Sequence, residues 1–227
     1  YLSNLSSRKM RNQLRRHLET KISHVSVLDW VRRYVKKVSE FIDTLNPQLS
    51  GKIYADETEL KRNGNNDVFW CAVDWETRYI NSILYSPNVQ NIREATEFFK
   101  DIKRTVVPAF IQTDSGIFYP RAFRNIFGQG KRKHGLKTEH RVNNVSKTKK
   151  HNVRIETVFS KIKDRVDDFR GFKALWSARI LMAGLIIQHN FIEQHSTVKD
   201  YPCERANLNL CLGENRWLEL INLSAKN

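Results

Sequence analysis

Cysteine, proline, methionine and glycine are all scarce in this chain. Its 227 residues include three Cys, five Pro, two Met and nine Gly. No two cysteines form a C-x-x-C pair, which argues against both a disulfide scaffold and a zinc knuckle. Cys71 lies inside an apolar run and reads as a small core residue, so a reducing cytoplasm is expected. Acidic residues are also short, at 24 Asp and Glu against 39 Lys and Arg, a balance of +15. That excess favours a polyanionic partner, nucleic acid before anionic membrane. No signal peptide is visible at the start. The longest greasy stretch, Leu175 to Ile192, contains Arg179, Gln188, His189 and Asn190, and reads as a buried helix rather than a membrane span. There is no Walker-type loop, no nucleophile elbow and no internal repeat.

Helical periodicity dominates the first 50 residues. Ser6 and Ser7 can cap a helix to about Leu18, with Met10, Leu14 and Leu18 along one face. Ser23 caps a longer helix carrying Val27, Val31, Val38, Ile42 and Leu45, ended by Asn46-Pro47. Two helices and a short turn, with Arg and Lys outside, fit either helix-turn-helix DNA binding or a plain helical hairpin. The period then changes. Residues 53–56, 68–75, 78–85 and 109–114 read as strands, and Asn63-Gly64 as a hairpin turn. The nearly unbroken apolar run of 68–75 predicts a strand covered on both faces. Helices are expected over about 91–104, 120–127, 153–169 and 174–194. The basic, polar segment 128–151 predicts one short strand and a loop. Residues 196–227 show little periodicity. This order suggests a mixed β-sheet flanked by helices.

Two of the expected strands end on carboxylates, Asp56 and Asp114, and Glu156 opens the helix after the basic loop. Each carboxylate alone has an ordinary explanation, as a solvated strand end or a helix-dipole partner. Converged by folding, three would repel one another, and a divalent cation would relieve that repulsion. Oxygen-only ligands suit Mg²⁺ or Mn²⁺, and two such ions can serve both oxygens of a phosphodiester substitution. In the same helix, Glu156, Ser160, Lys163 and Asp167 share one face.

The stretches "ADETEL", "FWCAVDWETRYI", "IQTDSGIFYPRAF", "NVRIETVFSKIKDRVDDFRGF" and, before them, "SHVSVLDWVRRY" resemble insertion-sequence-6-type DDE transposases, particularly archaeal-looking members. The resemblance runs in order from about Ser6 to about Glu193. It implies an RNase H-like α/β catalytic core preceded by an all-α helix-turn-helix segment. The boundaries expected from it are 1–48 for an N-terminally truncated DNA-binding region, 49–195 for the core and 196–227 for a tail. Carried over by position, the catalytic and metal-binding triad is Asp56, Asp114 and Glu156, with two Mg²⁺ or Mn²⁺ ions. Lys163, two turns beyond Glu156, would hold a DNA phosphate, and Asp74 is a structural or supporting aspartate.

The resemblance also implies the activity: binding of terminal inverted repeats, strand cleavage and strand transfer by a prokaryotic, cytoplasmic, nucleoid-associated enzyme. Its partners would be double-stranded DNA, at element ends and target, and further copies of itself in a homodimer or higher synaptic assembly, with no membrane. Two alternatives are a catalytically inactive, domesticated DNA-binding protein and a nuclease of the same fold without strand transfer. Among other polar residues, His24 opens the second helix and could meet a base or phosphate, while Arg32 and Arg33 fit backbone phosphates. Lys131, Arg132 and Lys133 would form a phosphate-contacting strip. His134 and His140 lack cysteine partners at zinc spacing, and Trp30, Trp70 and Trp176 read as core.

Overall fold

The computed structural model describes residues 5–87, 90–128, 138–143, 153–168 and 171–226. Helices α1 (Ser7–Leu18) and α2 (His24–Ile42) begin where the hydroxyls of Ser6 and Ser23 accept backbone N–H groups of Lys9 and Ser26. Met10 and Leu14 are half-buried and Leu18 is exposed, so α1 is only lightly packed. Helix α2 is different: Val35, Val38 and Phe41 are buried in a core described below.

Three antiparallel strands follow, β1 (Lys52–Arg62), β2 (Asn65–Asp74) and β3 (Ile80–Ser86). The β1–β2 turn uses Asn63 at φ 49° and Gly64 at φ 86°, the left-handed pair that a tight hairpin needs. Next come α3 (Ile92–Thr105), β4 (Phe110–Thr113), α4 (Tyr119–Phe127), β5 (Glu139–Val142) and α5 (Val153–Asp168). Helix α6 (Leu175–Ile187) runs into a π-helical turn, Gln188–Ile192, and α7 (Pro202–Arg205) and α8 (Arg216–Lys226) close the chain. The sheet order is β3-β2-β1-β4-β5, with β4 and β5 parallel to β1.

Helices cover both faces. On one, Phe69, Cys71 and Val73 pack with Ile155, Phe159, Ile162 and Val166 of α5 and Met182 of α6. On the other, Ile53, Ala55, Trp70 and Ala72 meet Phe98, Phe99 and Ile102 of α3 and Phe123 of α4. Strand β2 contributes to both clusters, which is why its apolar run has no alternation. A third cluster joins α2 to Phe191, Cys203 and Leu220.

Four sequence expectations are corrected. Strand β1 does not end at Asp56 but continues to Arg62, because its ladder with β2 extends past the point where β4 stops. The apolar helix expected over 174–194 gives way to the π turn at Gln188. The tail contains α8, whose Leu220 is fully buried in the cluster with α2. Trp176 and Trp30 are 54% and 45% exposed, whereas Trp70 is fully buried. Trp176 instead carries the guanidinium of Arg32 at 4.3 Å.

Candidate active site

The parallel register of β1 and β4 pairs Tyr54 with Gln112. Two residues further along each chain, that register leads to Asp56 and Asp114, just beyond the last residue of β4. Carboxylate oxygens of Asp56, Glu57 and Asp114 all lie within 4.8 Å of one another. One oxygen of Asp56 accepts the Glu57 N–H at 2.9 Å, and one of Asp114 accepts the Gly116 N–H at 2.8 Å. Each aspartate is thereby oriented by the backbone. Residue 116 has to be small: a Cβ there would lie 3.1 Å from the Asp114 oxygen and 2.9 Å from the Phe118 ring.

Helix α5 crosses the same side of the sheet, with Ile155 and Val158 buried and Glu156 exposed. Glu156 is close enough to Asp56 to raise its pKa, and Lys163 close enough to lower it. Glu156 and Lys163 are thus within electrostatic reach of Asp56, while the carboxylates gathered within 4.8 Å among the described residues are Asp56, Glu57 and Asp114 and do not include Glu156. Burial is the main reason the Asp56 carboxyl is pushed up to about 7, with the Glu57 N–H opposing and Asp114 and Glu156 adding to it. Glu57 is pushed up to about 8, again mainly by burial, opposed by the hydrogen bond it receives from the Tyr119 hydroxyl.

Sequence reasoning missed Glu57. It follows Asp56 directly, but strand alternation turns it towards Trp70, its partner on β2. Its burial depends on α4 and on Tyr119, which no local period links to β1. The remaining candidates lie elsewhere. Asp74 is buried at the opposite end of β1, paired with Ile53, where it organises the turn after β2. His24 is the first residue of α2, Arg33 is exposed, and Arg32 pairs with Asp29 at 3.5 Å. His140 is on β5, 3.0 Å from the Thr113 hydroxyl and stacked on Phe123. Lys131, Arg132, Lys133 and His134 lie outside the described residues.

The raised carboxyls predict how stability depends on pH without metal. Between the ordinary values of 3.8 and 4.5 and the raised values of about 7 and about 8, the folded protein holds protons that the unfolded chain has released. Stability therefore falls as pH rises through that window. In EDTA, urea unfolding is expected to give on the order of 3 kcal/mol less stability at about pH 8 than at about pH 5. Millimolar Mg²⁺ should restore more stability at the higher pH. A flat profile in EDTA would mean that the two carboxyls titrate normally.

A family model for the DDE domain of insertion-sequence-240-type transposases matches residues 50–195. The chain belongs to this family. The family match spans every strand of the sheet and helix α5, and so includes Asp56, Asp114 and Glu156. Among solved structures, the chain is similar to one in the simian T-cell lymphotropic virus intasome bound to PP2A regulatory subunit B56 gamma. The identity is 14% and the TM-score 0.51, over 71% of this chain and 56% of that one. This DDE domain therefore has the RNase H-like integrase-core fold, while the chain spans just over half of the intasome protein it matches. The HTLV-2 integrase catalytic core domain in complex with magnesium is also similar, at 13% identity and a TM-score of 0.49, over 70% of this chain and 97% of that one. No curated protein matches the sequence of this family member. Among the described residues, no helix is long and apolar enough to cross a membrane.

Proposed function

We propose that this chain is the DNA-cleaving and DNA-joining part of an insertion-sequence transposase, with Asp56, Asp114 and Glu156 as its catalytic carboxylates. The observation that carries the proposal is the meeting of Asp56 and Asp114 across the β1–β4 register, beneath the helix that bears Glu156, in a chain of the DDE family. The donor set fits divalent metal: all the clustered atoms are carboxylate oxygens, and burial with mutual repulsion holds two of the carboxyls well above their ordinary values. Asp56, Asp114 and Glu156 would hold Mg²⁺ or Mn²⁺, and Glu57 is near enough to help. When bound, the ions supply Lewis-acid activation of the attacking oxygen and stabilisation of the leaving one.

The chain's own residues position the DNA. The Glu57 and Gly116 N–H groups hold the two aspartates in their orientations. Lys163 would hold a backbone phosphate beside them and offset the acidic charge, a role supported by its electrostatic reach to Asp56. In the first step water attacks the phosphodiester at an element end and the 3′ oxygen leaves as a hydroxyl; that hydroxyl then attacks a target phosphodiester, and the target strand's own 3′ oxygen leaves as the new bond to phosphorus forms. The protein's contribution is positioning and charge neutralisation. Region 1–48 recognises terminal inverted repeats, 49–195 performs the chemistry, and 196–227 steadies α2 against the core. Two ends brought together require a homodimer or a larger synaptic assembly, working in the prokaryotic cytoplasm at the nucleoid.

The test is a strand-transfer assay with Mg²⁺, a labelled duplex carrying the element's own end, and plasmid target. Joined product supports the proposal. Cleavage without joining selects the simple nuclease, and specific binding without cleavage selects the inactive DNA-binding protein. In the same assay, Lys163→Ala is expected to weaken binding of the cleaved end about five- to tenfold while leaving the melting temperature unchanged. Unchanged end binding removes the role given to Lys163.

A further inference from the structure

Asp56 and Glu57 are neighbours on a strand, so their side chains leave β1 on opposite faces of the sheet. Tyr54 packs on the α5 side, and Ile53 and Ala55 on the side covered by α3 and α4. Alternation puts Asp56 with the first and Glu57 with the second. Yet carboxylate oxygens of Asp56, Glu57 and Asp114 lie within 4.8 Å of one another. The end of β4 allows this. Its pairing with β1 closes at Tyr54 and Gln112, and the strand itself stops at Thr113. Beyond that point β4 no longer lines β1, so carboxylates from both faces can reach the same edge.

One loop holds two members of this group. Asp114 begins the β4–α4 connection and accepts the Gly116 N–H at 2.8 Å. Tyr119, the first residue of α4, donates its N–H to the Gly116 carbonyl at 3.2 Å and its hydroxyl to Oε2 of Glu57. The Tyr119 side chain is fully buried. Its ring centre lies 4.6 Å from that of Phe118 and 5.8 Å from those of Trp70 and Phe99. Three neighbouring rings fix where the hydroxyl points, and Glu57 is bonded at that place.

Packing alone does not call for this pair. The cluster around Tyr119 contains Phe98, Phe99, Phe118 and Phe123, and a phenylalanine at 119 would bury the same ring without a polar atom. A buried phenol needs one acceptor, which a neutral amide at 57 would supply. The chain instead sets a third carboxylate beside two aspartates, where like charges repel. A divalent cation turns that repulsion into attraction. Glu57 has the capacity for it: an ionised carboxylate offers about four acceptor positions, and the Tyr119 hydroxyl takes one. Ligating carboxylates are commonly held in this way by an outer hydrogen-bond partner.

We propose that Glu57 is a metal-ligating carboxylate alongside Asp56 and Asp114, that this trio takes one divalent cation before DNA arrives, and that Tyr119 is the positioning residue that holds Glu57 in place. The use of that cation rests on the transposase reading above. The two residues added lie outside the Asp56, Asp114 and Glu156 triad.

The full chain without DNA tests the trio, with Mn²⁺ as the probe and the paramagnetic resonance signal of the free aqua ion as the measure of binding. Glu57→Gln keeps an oxygen for the Tyr119 hydroxyl and removes the charge. Tyr119→Phe keeps the ring and removes the hydroxyl. Glu59→Gln is the control for lost surface charge, since Glu59 shares the Glu57 side of β1 but is exposed and bonded to Asn66. The Mn²⁺ dissociation constant is expected to rise more than about tenfold in Glu57→Gln and about tenfold in Tyr119→Phe. Glu59→Gln should match wild type. Equal weakening in all three variants would mean diffuse attraction and no seat. Wild-type affinity in Glu57→Gln removes Glu57 from the ligands. A lower melting temperature in EDTA with unchanged Mn²⁺ affinity would make Tyr119 a structural residue and end its positioning role. A wild-type chain that joins DNA in Mg²⁺ but binds no Mn²⁺ alone overturns the trio and leaves the proposed function standing. A wild-type chain that binds Mn²⁺ through Glu57 but neither cuts nor joins DNA overturns the function and leaves the trio standing.

Discussion

Asp114→Asn is expected to lower cleavage and joining by at least about 1000-fold while raising the melting temperature measured in EDTA. Both effects come from one change of charge. Asn keeps an oxygen that can accept the Gly116 N–H, now received by Asp114 at 2.8 Å, so the loop after β4 retains its shape. It removes a negative charge from a cluster in which carboxylate oxygens lie within 4.8 Å of one another and in which Asp114 raises the pKa of both Asp56 and Glu57. Without metal, that charge raises the pKa of its two carboxyl neighbours, so its loss stabilises the fold. With metal, it is a ligand, and its loss removes affinity and transition-state charge stabilisation together. Kinetics and thermal melts on the same preparation separate the outcomes. Lower activity with a lower melting temperature would point to a damaged fold, and unchanged activity would remove Asp114 from the site.

Arg216→Ala is expected to cost about 3–5 kcal/mol of folding stability, the range for breaking a buried charged pair from one side. Arg216 is 7% exposed at the start of α8. Its Nη2 donates to Glu204 at 2.9 Å, its Nη1 reaches the Leu212 carbonyl at 3.3 Å, and its Nε donates to the Phe191 carbonyl. The guanidinium also lies 3.6 Å from the centre of the Tyr201 ring. One side chain therefore pins α8, α7 and the π turn together. Alanine leaves the Glu204 carboxylate and two backbone carbonyls without this donor. Urea denaturation followed by tryptophan fluorescence measures the loss, since Trp217 lies next to the pin. Because α8 also packs on α2, proteolysis should release the N-terminal helices sooner in the variant. A change below about 1 kcal/mol would mean that the apolar contacts of Leu220 hold the tail unaided.

Several of these features can be read from residue order. Alternation in 53–56 separates Ile53 and Ala55 from Tyr54 and Asp56, and the folded strand keeps those faces. The unbroken run in 68–75 signals a strand buried on both sides, and the stripe Ile155, Val158, Phe159, Ile162 and Val166 is the buried face of α5. Ser6, Ser23 and Asn63-Gly64 mark boundaries because capping and tight turns depend on a few adjacent atoms. Period and capping are local, and one segment contains all they require.

The tertiary structure decided the rest. "ETEL" looks too polar to extend β1, yet the ladder with β2 carries it to Arg62. Helix α8 has a weak apolar stripe and is held by Arg216 and Leu220. The nearness of Asp56 and Asp114 depends on a parallel pairing between distant strands, and the high pKa of Glu57 on burial beside Tyr119. The burial of Arg78, whose Nε and Nη1 lack a hydrogen-bond partner, depends on a turn fastened by Asp74 and His189. A local pattern tells which face of a segment must be buried. Which partner buries it, in what register and with what effect on a charge, is set by contacts between segments far apart in the chain.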